Sequence, residues 1–424
     1  MGGGRIDPAP RQYPPFVGLK RRVVDGHQRV PSACSVADVE TWLLDQALQQ
    51  PHTLDLVDQL AWRLVAAGFP LDRFSVHVGT LHPQLLGFAW NWLRADTICD
   101  EVQVAADSLD TDAYRRNPLA QVIGHGRTIR ALTADPDDVA RYPLIADLAK
   151  SGIAEYIAMP MSGAAYHNAV TLATRQPGGF SDEQRSAMAR LLKLFALHVE
   201  RHIALRIADN ALVAYLGELA AGKVLSGSIR RGAGDSIRAV IWMSDLRGFT
   251  GLTERLGGAD MISLLNAYFE EMAGAVLAQG GEVLKFIGDG LLAAFPIEGD
   301  GKLAAARAVA AARDALARFE RLNAQPPVSL AGIKGWHPLR SGIALHEGEV
   351  FFGNIGAPQR LDFTVIGPTV NQASRVEALQ KTLARPVLIT DAVARLLDEE
   401  LEPLGAHALR GVPQPVAIFG LKSA

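Results

Sequence analysis

The stretch that most constrains this chain is residues 280–295, GGEVLKFIGDGLLAAF. Two short apolar segments flank Gly288-Asp289-Gly290, and that composition is the turn chemistry of a β-hairpin. Upstream, the apolar run IRAVIWM (237–243) reads as a strand ending in Ser244-Asp245. A glycine-bearing turn from Leu246 to Thr250 follows it, then an amphipathic helix over 259–279. If the first strand lies beside the hairpin, Asp245 at its end and Asp289 in the turn come close together. Two close carboxylates repel each other, and a divalent cation relieves the repulsion.

The chain has 424 residues, which suggests two or three domains. Hydrophobic residues make up 49% and charged residues 21%, which rules out wholesale disorder. A formal net charge of -3 gives no electrostatic case for nucleic-acid binding, so any nucleotide bound here is expected as a small ligand. Cys34 and Cys99 are the only cysteines. They are too few for a disulfide framework or a structural zinc site, and a reducing, cytoplasmic compartment is the natural expectation. No run of about 18 apolar residues occurs, so no membrane span is expected. Residues 1–34 read as a flexible leader without the apolar core of a signal peptide, and Lys20-Arg21-Arg22 as a solvated charge cluster.

Residues 35–50 and 52–68 carry helical spacing. The segments 72–80 and 86–94 show partial alternation and aromatic enrichment, as strands do. After a polar segment, the pattern predicts a helix over 137–150, strands at 154–161 and 168–176, and a long helix from Ser181 to about Leu219. Ser181 with Gln184 forms a capping-box pattern, and Met188, Leu192, Phe195, Val199 and Ile203 make one buried stripe. This element order resembles a GAF-like sensor domain over 35–208, exposed to an unknown small-molecule or protein signal. Residues 209–236 read as a helical connector, glycine-rich and basic from 222 to 234.

The remainder, 237–424, continues with an alanine-rich helix capped by Asp300, a loop over 324–339, and a strand SGIALH. That strand is expected to turn at Glu347-Gly348 into EVFFGNIG. The strand DFTVIG and a helix opened by Pro368 come next, a proline at the first helical position being favourable. The order βαββαβ predicts an α+β, ferredoxin-like sheet, rich in antiparallel pairs, with helices on one face.

Four stretches, SDLRGFTGL, GGEVLKFIGDGLLAAF, GIALHEGEVFFGNIG and FTVIGPTVNQASRVE, resemble in order and spacing the class III nucleotidyl cyclases, the family of adenylyl and guanylyl cyclases. The resemblance implies that Asp245 and Asp289, with the Leu246 backbone, hold two Mg²⁺ or Mn²⁺ ions. It also implies that backbone N–H groups of Leu246, Gly248, Phe249 and Thr250 approach phosphates, which requires side chains to stay clear and gives the glycine its role. Lys285 and Thr364 fall where the family reads the purine. A lysine there accompanies ATP, whereas guanylyl cyclases carry glutamate. Asn371 and Arg375, one turn apart on a helix face, take the ribose and the α-phosphate in the transition state. Arg410 corresponds to a basic residue near the triphosphate tail.

The implied reaction is attack of the ribose 3′-oxygen on the α-phosphorus of ATP, with pyrophosphate leaving. It takes place in sites shared across a homodimer. The alternatives are a guanylyl cyclase, disfavoured by Lys285, and a catalytically silent nucleotide-binding regulatory module. A diguanylate cyclase shares the element order, but the chain has no GGDEF-like run. Cys99 as a bilin attachment point and His82 as a haem ligand lack any recognisable attachment motif.

Overall fold

The computed structural model describes residues 7–80, 85–161, 168–331 and 338–422. His82 therefore lies outside the described residues. The chain divides into two compact units, Met1–Ala211 and Leu212–Ala424.

The first unit runs β1 (Val17–Val24), α1 (Val36–Asp45), α2 (Thr53–Ala66), β2 (Arg73–Gly79), β3 (Leu85–Leu93), β4 (Ile98–Ala105), α3 (Asp112–Arg115), α4 (Pro118–His125), β5 (Ile129–Leu132), α5 (Pro136–Arg141), α6 (Pro143–Lys150), β6 (Glu155–Met161), β7 (Asn168–Thr174) and α7 (Asp182–Leu216). Its strands form an antiparallel sheet in the order β1-β4-β3-β2-β7-β6-β5. Alternation along each strand gives the sheet two apolar faces. Trp42, Leu60, Phe74, Trp92 and Phe195 pack one face under α1, α2 and α7. Val122, Ile145, Tyr156 and Ala158 pack the other under α4 and α6. The capping box forms as expected: Ser181 N donates to Gln184 Oε1 at 3.0 Å and Gln184 N to Ser181 Oγ at 3.1 Å.

Several expectations for this unit need correction. Residues 17–24 are not leader but the edge strand β1, paired with β4. The cause is Asp100 on β4, whose side chain is fully buried and takes its counter-charge from the leader. Arg22 Nε lies 2.7 Å and Arg11 Nη1 3.2 Å from its carboxylate, and Tyr13 Oη donates to it at 2.7 Å. Arg22 is thus a structural cation and not part of a solvated cluster. The polar segment after residue 94 contains β4 and β5 as well as α3 and α4. The helix expected over 137–150 is two, because Pro143 lacks the N–H needed to continue α5 and instead starts α6. The long helix ends at Leu216, where Gly217 takes φ +85° and turns the chain into α8 (Glu218–Leu225).

The second unit continues with β8 (Gly234–Leu246), α9 (Phe249–Thr253), α10 (Gly258–Ala278), β9 (Glu282–Ile287), β10 (Gly290–Pro296), α11 (Lys302–Ala324), α12 (Val328–Ala331), β11 (Ser341–Ala357), β12 (Arg360–Ile366), α13 (Pro368–Ala378), α14 (Gln380–Leu383), β13 (Val387–Thr390), α15 (Asp391–Ala394), β14 (Glu402–His407) and β15 (Val416–Gly420). The core order β11-β8-β10-β9 is that of a ferredoxin-like βαββαβ sheet. It is extended beyond β11 by β13, β15 and β14, and β12 pairs with the far half of β11.

Trp242, Val240, Leu291 and Phe295 pack against α10 and α11 on one face. Ala239, Ile241, Leu292 and Ala294 pack with Ala220 of α8 and Ala373 of α13 on the other, so helices cover both faces and not one. No turn occurs at Glu347-Gly348: β11 pairs with β8 continuously from Ser341 to Gly353. Gly348 serves close approach instead. A Cβ there would lie 2.6 Å from Thr369 Oγ1 at the start of α13.

Candidate active site

β8 and β10 are neighbours, with Ser244 opposite Leu291 in the antiparallel ladder. The next residue of β8, Asp245, therefore stands at the sheet end beside the two-residue turn Gly288-Asp289, where Gly288 takes φ +63°. The two carboxylates meet there as the spacing predicts. Burial, the hydrogen bond that protonated Asp289 donates to Asp245, and the charge of Asp245 push the Asp289 carboxyl up to about 7, against weaker downward pulls from the Asp289 and Leu246 amides. Among the described residues no Lys, Arg or His forms an ion pair with either aspartate, and no group of three or more His, Cys, Asp or Glu side chains gathers into a metal cluster. The donor set is two half-buried carboxylates plus nearby backbone carbonyls. Mg²⁺ is bound by such a set when one or two carboxylates are supplemented by substrate phosphates and water, so the residues fit such a divalent ion.

The site is built from below by groups the sequence reading did not single out. Ser341 Oγ donates to the Asp245 carbonyl at 3.0 Å and lies 3.4 Å from the hydroxyl of Tyr268 on α10. Tyr268 is fully buried, which pushes its phenol well above the usual range and keeps it a neutral hydrogen-bonding group. Gly248 takes φ +78° and hands the chain to α9, so Phe249 and Thr250 open a short helix next to the aspartates.

Lys285 lies on β9, the edge strand, and pairs with Asp362 of β12. Asp362 and Thr364 alternate with the buried Phe363 and Val365, so both lie on the strand face away from that core. Asp362 thus pairs with Lys285 and shares a strand face with Thr364, and sequence reading did not single it out. Its signal was the i, i+2 spacing from Thr364. The side chains of Phe286, Ile287 and Ile366 stand 50%, 52% and 46% exposed on the same two strands.

Asn371 is exposed and Arg375 half-buried on α13. A Cβ at Gly411 would lie 3.5 Å from the Arg375 guanidinium, which brings Arg375 beside the loop carrying exposed Arg410. Neither Asn371 nor Arg375 bonds to Asp245 or Asp289 among the described residues. In the first unit, Cys99 is fully buried in β4.

Residues 235–423 match the adenylate and guanylate cyclase catalytic domain family. An adenylate cyclase from Anabaena cylindrica is 34% identical over 171 residues, which is 40% of this chain and 33% of that protein. Adenylate cyclase 1 from Rhizobium meliloti is 31% identical over 179 residues, 42% of this chain and 26% of that protein. The chain spans a third or less of the length of these curated relatives. Among solved structures, the adenylyl cyclase CyaB from P. aeruginosa is 30% identical, with 45% of this chain and 96% of that one covered, at a TM-score of 0.39. The guanylyl cyclase Cya2 is 31% identical, with 44% and 92% covered, also at 0.39. The match to the adenylate and guanylate cyclase catalytic domain family thus falls on the second unit and leaves the first unit outside it.

Proposed function

We propose that the chain is an adenylate cyclase that converts ATP to 3′,5′-cyclic AMP and pyrophosphate in sites shared by two copies. The observation that carries this reading is the pair Asp245 and Asp289, held together at a sheet end with no cationic side chain paired to them among the described residues. Divalent ions bound there would supply charge for the phosphates and acidify the attacking 3′-hydroxyl. The chain's own groups do the rest. The Leu246 carbonyl adds a ligand to the carboxylates, and the amides of Gly248, Phe249 and Thr250 face the polyphosphate.

Lys285 donates to adenine N1 while Thr364 and Asp362 accept from the N6 amino group, a donor and acceptor set matched to that edge. Asn371 orients the ribose, Arg375 meets the charge that develops at the α-phosphate, and Arg410 holds the distal phosphates. Among the described residues neither Asn371 nor Arg375 bonds to the aspartates of its own chain, and exposed Phe286, Ile287 and Ile366 beside Lys285 offer apolar surface for a second copy.

The first unit is read as a GAF-like regulatory domain. A cavity of about 320 Å³, lined by Phe16, His77, Phe88, Ser108, Tyr114 and Leu119 among others, supports ligand sensing. Incubating the purified chain with ATP or GTP and Mg²⁺ or Mn²⁺, with product identified by mass, tests the activity. Cyclic AMP is expected. No cyclic nucleotide under any of these conditions would sink the reading, and cyclic GMP alone would overturn the choice of base.

A further inference from the structure

Arg247 stands two residues past Asp245, close enough in sequence to neutralise the aspartates itself, yet its guanidinium turns away from them. Nη2 lies 3.0 Å from Glu377 Oε1 at the end of α13 and also donates to Gln380 Oε1 at the start of α14. The backbone N–H of Arg247 donates to the Arg340 carbonyl at 2.8 Å. Gln380 is 4% exposed and donates through Nε2 to the Ile343 carbonyl of β11 at 2.5 Å. Gly342, which pairs with Asp245 in the ladder, makes the room: a Cβ there would overlap both Gln380 and the Arg247 guanidinium. The cluster lies directly behind Asp245 and joins the end of β8, β11 and the α13–α14 corner. Glu377 feels the Asp245 charge as well as that of Arg247, so the cluster and the carboxylate pair are within electrostatic reach of one another.

We propose that Glu377 and Gln380 are positioning residues that hold the Arg247 guanidinium off Asp245 and Asp289, keeping the carboxylate pair open to divalent cations and fixing the loop after Asp245 to α13. Without Glu377, the freed guanidinium has two carboxylates within a flexible side chain's length and competes with the incoming cation. The cluster also ties the strand that carries Asp245 to the helix that carries Asn371 and Arg375. These are parts of two different sites if the sites are shared between copies.

The inference rests on Asp245 and Asp289 binding cations, and Mn²⁺ titration followed by electron paramagnetic resonance tests both claims without turnover. Wild type should take up Mn²⁺, and failure to do so removes the cation reading itself. Glu377→Gln should raise the Mn²⁺ half-saturation about tenfold, with the KM for ATP within about threefold of wild type. Adding Arg247→Met to Glu377→Gln should restore most of the Mn²⁺ affinity, because no free guanidinium remains, while kcat stays low because the tie to α13 is still lost. A purely structural role predicts the opposite, with the double variant binding Mn²⁺ no better than the single one, and that result would overturn the proposal. Gln380→Leu provides a second route should Glu377→Gln fold poorly. It should shift the half-saturation about threefold in the same direction, and an unchanged Mn²⁺ titration in this variant, with wild type binding normally, would equally overturn the proposal.

Discussion

Replacing Asp289 with Asn should destroy activity and at the same time stabilise the metal-free protein. In the folded chain the Asp289 carboxyl sits at about 7 against an ordinary value of 3.8, first through burial and then through Asp245. A folded-state value raised above the unfolded one means that ionisation opposes folding. The penalty is absent below about pH 4, grows as pH rises through 7, and is complete above it. Roughly three units would nominally be worth about 4 kcal/mol at 1.36 kcal/mol per unit. Asp289 is only half-buried, and solvent screening reduces this to about 1–2 kcal/mol. Asp289→Asn removes the term, so in EDTA at pH 8 the second unit should melt roughly 3–6 °C higher than wild type, with the difference shrinking towards pH 5. Mn²⁺ at about a hundredfold over its Kd should stabilise wild type by roughly 2.7 kcal/mol and the variant far less. Differential scanning fluorimetry across pH, with and without Mn²⁺, reads all three effects. Equal melting temperatures at pH 8 in EDTA, or equal Mn²⁺ stabilisation of both proteins, would refute the claim that these carboxylates form an uncompensated pair awaiting a cation.

Lys285→Glu should remove a charge-assisted hydrogen bond worth about 2 kcal/mol, lowering kcat/KM for ATP roughly 30-fold, and should place two carboxylates side by side at Asp362. An ATP rate unchanged by the substitution would argue against any role in reading the base. Arg11→Ala leaves the buried Asp100 with only Arg22 and Tyr13, and should cost about 2 kcal/mol, seen as a drop of roughly 4–8 °C in the melting of the first unit. An unchanged melt would mean that Arg11 adds nothing to holding the buried Asp100 carboxylate. Deleting the residues before Leu205 should change the basal cyclase rate at equal dimer content, and an identical rate would remove the first unit from regulation.

The core of the second unit was legible because its signals are local. The hairpin turn needs Gly288, the adjacent strands are apolar, and βαββαβ leaves few ways to close the sheet, so Asp245 and Asp289 could be brought together on paper. The split at Pro143 and the stop at Gly217 were local signals passed over, whereas in the other failures the deciding partner lies far away in sequence. Strand β4 carries Asp100 and Glu101 side by side, which breaks apolar alternation. Both are buried only because Arg11, Arg22 and Tyr13 reach Asp100 from near the N-terminus and Arg206 reaches Glu101 from α7. Gly348 has the local chemistry of a turn, and only the packing of Thr369 from α13 reveals that it marks a close approach within a 17-residue strand. Asp362 and Arg247 look like ordinary surface charges until β12 comes near β9 and α13 closes over β8.

In the proposed site the aspartate pair is half of a centre completed by another copy's Asn371 and Arg375. Mixing two inactive chains tests it most directly. Asp289→Ala and Asn371→Ala should each be silent alone, and together they should recover part of the wild-type rate, because a mixed dimer contains one site with every residue intact. Demonstrable mixed dimers with no recovery of cyclic AMP synthesis would contradict it.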